Sequence, residues 1–106
     1  MKKLGRFFHA RRIMCRWLPY LSQAQIATFE VIAEHWNYGE ELTVGRLMEQ
    51  DWIASPASMH RNMLALIDAG IVQTVTKDKN RRTKYLRVTK KGHAMLLTFE
   101  KLLEEQ

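Results

Sequence analysis

Between Lys77 and Gly92 (KDKNRRTKYLRVTKKG) the chain carries eight Lys or Arg and one Asp, a charge of +7 that exceeds the whole-chain excess of +6. The run from Lys77 to Arg82 holds no apolar side chain, so nothing in it favours burial. Tyr85, Leu86 and Val88 follow, with Lys84, Arg87 and Thr89 set among them. This pattern predicts a hairpin whose loop is too polar to bury and whose second strand is half buried. A basic loop on a short β-hairpin suits a polyanion, and nucleic acid is the polyanion it fits best.

Other chemistries find little support. His9, His35, His60 and His93 are scattered, with no metal-ligand spacing among themselves or with Cys15. There is no nucleophile–base pair, no glycine-rich phosphate loop and no paired carboxylate pattern, so neither catalysis nor a cofactor is expected. No run of about 18 apolar residues exists to span a membrane. The basic N-terminus lacks a continuous apolar stretch with a cleavage site, and Cys15 has no partner for an intrachain disulfide. Both fit a cytoplasmic protein.

The charge is segregated. Residues 1–29 hold six basic and no acidic side chains, and residues 30–70 hold two basic and seven acidic, a balance of −5. The following residues 71–92 return to +7. Two basic blocks around an acidic middle favour an oriented electrostatic face over a mixed, solubilising surface.

The elements that position these groups are legible from periodicity. Leu4, Phe7, Phe8, Met14, Trp17 and Leu18 recur at helical spacing and predict an amphipathic helix that stops near Pro19. Ser22 caps a second helix containing Ile26, Phe29, Val31, Ile32 and Trp36, and Asn37-Tyr38-Gly39 ends it. Leu42 and Thr43 begin extended, and Thr43 caps a short helix to about Gln50. Ser55 followed by Pro56 starts the next helix, which Ala69-Gly70 stops. Ile71–Thr76 is β-branched and strand-like. A last helix from Thr89 carries Leu96, Leu97, Phe99, Leu102 and Leu103. Trp17, Trp36 and Trp52 are expected in the core or an interface.

The middle of the chain resembles the winged helix-turn-helix of the MarR family of bacterial and archaeal regulators. Leu42–Met48 (LTVGRLM) is similar to the strand and first helix of the motif. Ser55–Arg61 (SPASMHR), continued by Leu66–Val72 (LIDAGIV), is similar to the recognition helix and its exit. Asn80-Arg81-Arg82-Thr83 with Leu86–Gly92 (LRVTKKG) is similar to the wing and its exit. At Asn80 the family often has aspartate; asparagine still accepts a hydrogen bond but brings no charge.

The resemblance implies an α+β fold, a mostly helical winged helix-turn-helix with a small antiparallel β-hairpin wing. Residues 21–92 would form that domain. Residues 1–20, a basic helix, and residues 93–106 would supply dimerisation, core or a DNA arm. The helix over about 55–69 would enter the major groove of double-stranded DNA. Ser55, Ala57, Ser58, His60, Arg61 and Asn62 would lie near bases or phosphates. The wing over 77–84 would reach the minor groove with Arg81 and Arg82, while Lys77, Lys79 and Lys84 attract phosphate. Arg46 would either touch the backbone or pair with Glu49 or Glu41.

The expected function is therefore sequence-specific transcriptional regulation by a homodimer paired through the terminal helices. A winged-helix adaptor for other proteins, and a nonspecific or replication-associated DNA binder, are the alternatives. The N-terminal helix also suits an anionic membrane surface. Cys15 reads either as an oxidant sensor activated by Arg11, Arg12 and Arg16 or, more simply, as a small buried side chain. A small-molecule effector is not legible.

Overall fold

The computed structural model describes residues 2–77 and 82–104. Its elements run α1 (Lys2–Trp17), α2 (Gln23–Asn37), β1 (Leu42–Thr43), α3 (Val44–Met48), α4 (Pro56–Asp68), β2 (Val72–Thr76), β3 (Lys84–Val88) and α5 (Lys90–Glu104). This is the α+β class anticipated from the sequence, with one addition: β1 joins the hairpin. The sheet order is β1-β3-β2, antiparallel throughout. Leu86 on β3 stands opposite both Leu42 and Thr74, which fixes which face of the hairpin is buried.

Local chemistry explains the helix boundaries. At α2 the Gln25 N–H donates to Ser22 Oγ (3.1 Å) and the Ser22 N–H donates to Gln25 Oε1 (2.9 Å), a reciprocal cap of two orphan donors. Thr43 Oγ1 accepts from the Arg46 N–H at the start of α3. Helix α3 ends at Met48, two residues short of expectation, because Gln50 N–H already reaches back to Leu47 O in a tighter turn. Ser55 caps α4, with Pro56 at the first helical position. Helix α4 closes with Gly70 at φ +78°, where Gly70 N–H meets Ile67 O and Ile71 N–H meets Leu66 O. That left-handed residue favours glycine.

The core lies where α2, α4 and the sheet converge, on Phe29, Ile32, Leu47, Met59, Leu66, Ile71 and Val72. Helix α1 leans on α5 through an edge-to-face pair, Trp17 and Phe99 (6.1 Å between centroids). An ion pair, Arg11 to Glu30 at 2.8 Å, ties it to α2. Leu4, Phe7 and Phe8 on its first turns stay exposed. Trp17 and Trp52 are exposed in the single chain, which leaves an interface as the place expected for them, and Trp36 is half buried, against His93. One expectation needs correcting here: Cys15 is exposed rather than buried, because α1 packs on one side only.

One junction joins the exit of α4 to the entry of α5. Thr89 Oγ1–H donates to Gly70 O (2.6 Å) and the same oxygen accepts from the Gly92 N–H (3.1 Å). The Lys91 ammonium donates to Ala69 O (3.0 Å). Gly92 sits so close to the backbone just before β2 and to the end of β3 that a Cβ there would stand 2.4 Å from Ile71 O and 2.8 Å from Val88 Cγ1. The Thr-x-x-Gly spacing thus has a steric cause: threonine caps α5, and glycine allows the helix to touch backbone.

Candidate nucleic-acid interface

Helix α4 turns Met59, Met63 and Leu66 inward and Ala57, His60, Arg61 and Leu64 outward. On the outward side the Arg61 guanidinium donates to Ser58 Oγ (3.0 Å), which also accepts from the Ser55 hydroxyl (3.2 Å). The three polar side chains form one row along the start of the helix. A guanidinium has five N–H donors, and this contact uses one of them. The row can therefore present a planar, charged fork to a base edge or phosphate.

Asn62 does not join that row. It is 8% exposed, and its amide donates to Thr28 Oγ1 (3.3 Å), a hydroxyl that in turn donates to Ala24 O (2.7 Å). Asn62 follows Met59 by three residues and precedes Leu66 by four, so the helical period itself places it in the apolar stripe. That signal was in the sequence and outweighs residue type. Asn62→Ala removes a buried polar link between α2 and α4 and should cost about 1–2 kcal/mol, read as a lower urea midpoint.

At the wing, Lys77 forms an ion pair with Glu41 and lies over the Tyr85 ring, 5.1 Å from its centroid. Glu41 thereby has a partner other than Arg46. Arg46 is exposed and forms no ion pair among the described residues. Arg82 and Lys84 are exposed, and both line a cleft of about 380 Å3 with Thr43, Val44 and Gly45 at the start of α3. The wing root and the first helix of the motif thus meet, and two cations border the meeting place. Lys79 and Arg81, with Asn80, lie outside the described residues.

Two further surfaces were not anticipated. A cavity of about 450 Å3 opens between α1, α2 and α5, with Met14, Trp36, Leu96 and Phe99 among its walls. A smaller cleft runs beside Tyr38 and Trp52. Among the described residues no three potential metal ligands converge, and no helix is long and apolar enough to cross a membrane.

Solved structures share this arrangement. RV1404 from Mycobacterium tuberculosis superposes with a TM-score of 0.69 at 14% identity, over 96% of this chain and 64% of that one. The apo form of MarR from E. coli gives 0.62 at 19% identity, over 94% and 76%. The transcriptional regulator PA4135 gives 0.63 at 23% identity, over 96% and 73%. The fold is the MarR-type winged helix-turn-helix. The chain spans just under two-thirds of the length of RV1404. No protein-family profile and no curated protein sequence matches the chain. Within this winged helix, α3 and α4 form the helix-turn-helix and β2–β3 the wing.

Proposed function

We propose that the protein is a sequence-specific regulator of transcription that binds double-stranded DNA in the cytoplasm. Helix α4 enters the major groove, and the wing over 77–84 follows the minor groove. The observation that carries this reading is the hydrogen-bonded Ser55–Ser58–Arg61 row, exposed at Ser55 and Arg61, on the second helix of the motif, the helix whose N-terminal side chains meet bases in such folds. The paired placement of Arg82 and Lys84 beside α3 supports it, since a phosphate strand crossing there would meet both cations. His60 and Ala57 complete the base-facing set, and Arg46 adds a phosphate contact.

The segment over 21–92 binds DNA in this reading, while residues 1–20 and 93–106 pair two copies. Exposed Leu4, Phe7 and Phe8 on α1 and Leu97 on α5 supply apolar surface for that pairing. Twofold pairing implies a pseudo-palindromic site with half-sites about one helical turn apart.

Selection from a random duplex pool tests the proposal directly. A palindromic motif should be enriched, and Arg61→Ala should relax one base position in each half-site at a cost of about 1–3 kcal/mol. An unchanged motif with the Arg61 variant removes α4 from the reading role, and a pool that enriches no motif leaves a nonspecific binder. The wing makes a second expectation. Lys84→Ala should lower the slope of log affinity against log salt by about one per subunit, while Lys77→Ala, already offset by Glu41, should leave it nearly unchanged.

A further inference from the structure

Tyr38, at the end of α2, and Trp52, in the turn between α3 and α4, are each 69% exposed, the highest values among the large apolar side chains described. Both border one cleft of about 320 Å3, together with Glu34, His35, Glu40 and Gln50. The indole Nε1–H of Trp52 donates to Gln50 Oε1 at 2.9 Å. The only polar group of the ring is therefore satisfied, and what it offers outward is its π surface. His35 Nδ1 lies 2.9 Å from Val31 O, an acceptor, so Nδ1 carries the proton and the far nitrogen turns toward Glu40 at 4.0 Å. No Lys or Arg lines the cleft, and it belongs to the acidic third of a basic chain.

We propose that this cleft is a docking site for a basic segment of a partner protein, seating an arginine or lysine side chain against Tyr38 and Trp52. Aromatic faces attract cations through the ring quadrupole, and a guanidinium also stacks on them. Glu34 and Glu40 neutralise the charge from the rim. The same carboxylates repel phosphate, so the cleft is unsuited to DNA. Its size fits one long side chain, and its charge is complementary to a cationic ligand and not to an anionic one. A second copy also carries basic segments, in residues 1–29 and 71–92, and self-association is the outcome of the test that would assign the cleft to it.

The test uses the full chain at 150 mM salt with hexa-arginine, hexa-lysine and hexa-glutamate peptides as probes. The indole N–H resonance of Trp52, assigned by its loss in Trp52→Phe, should shift saturably with the basic peptides. The resonances of Trp17 and Trp36 should stay in place. By calorimetry, affinity for hexa-arginine should fall about tenfold in Trp52→Ala and in Tyr38→Ala, and severalfold in Glu40→Gln. Thermal melting checks that the variants remain folded. Binding of equal strength in the aromatic variants, or no saturable binding of either basic peptide, overturns the proposal. Self-association abolished by Trp52→Ala would assign the cleft to a second copy and overturn it as well. Duplex binding should be unchanged in Trp52→Ala, which keeps this outcome separate from that of the DNA-binding reading; a tenfold loss would place the cleft on the DNA side.

Discussion

Gly92→Ala is expected to destabilise the protein by about 3 kcal/mol, the upper part of the usual range for overpacking a tight site. The added methyl would lie 2.4 Å from Ile71 O, 2.8 Å from Val88 Cγ1 and 3.3 Å from Ile71 C. Two of these atoms are backbone, so no rotamer change relieves the contact. Either α5 lifts from the sheet or β2 bends, and each weakens the Thr89 and Lys91 bonds to the end of α4. A domain of this size has a total stability of about 5–15 kcal/mol, so the loss is a large share of it. Urea unfolding followed by circular dichroism measures it. Gly5→Ala is the matched control with the opposite sign. Nothing lies within 4 Å of a Cβ at Gly5, and the residue is helical. Alanine there should add up to about 1 kcal/mol. Equal effects at the two positions would show that contact with Ile71 is not what demands glycine.

Salt should produce the largest change in DNA affinity. If Arg46, Arg82 and Lys84 of each subunit in a pair meet phosphates, about six counterions leave, and affinity falls by roughly a thousandfold between 50 and 200 mM salt. Fluorescence anisotropy across that range reads the slope. Arg82→Ala should flatten it by about two for the pair and weaken binding to all duplexes alike, since a wing cation near phosphate carries little base information. A flat salt response would remove the electrostatic basis of the DNA-binding reading, whatever the fold.

The fold was readable where the determining chemistry is local. Ser55 with Pro56, and Ala69 with Gly70, mark α4 to within a residue because a capping hydroxyl and a left-handed glycine act over one turn. The polar tip and β-branched flanks likewise announce β2 and β3. The candidate site was readable only in part, because its details depend on distant residues. Asn62 finds Thr28, 34 positions away, and Lys77 finds Glu41, so each leaves the set of free polar groups. Residue type suggested base contact for Asn62, and its burial turns it inward instead; for Lys77 the sequence could not show that Glu41 lies beside it. Trp52, expected in a core or an interface, is outside the core of the single chain: its indole N–H is satisfied two residues away by Gln50, so it stands outside at no polar cost.

Thr89 and Lys91 bond the start of α5 to the end of α4, so that, if α4 reads DNA as proposed, the two helices would move as a single bent lever. Helix α5 is 15 residues long, a strut of about 22 Å at 1.5 Å per residue. A tilt of about 5° at the bend carries its far end by about 2 Å, on the scale of a base-pair rise. With two such levers hinged together at their far ends, the gap between the reading helices would be geared to that angle. In the proposed dimer, spacing between half-sites would then be a mechanical property of the elbow, and a change that stiffens or loosens it would alter which sites fit without touching a residue of the proposed DNA-facing set.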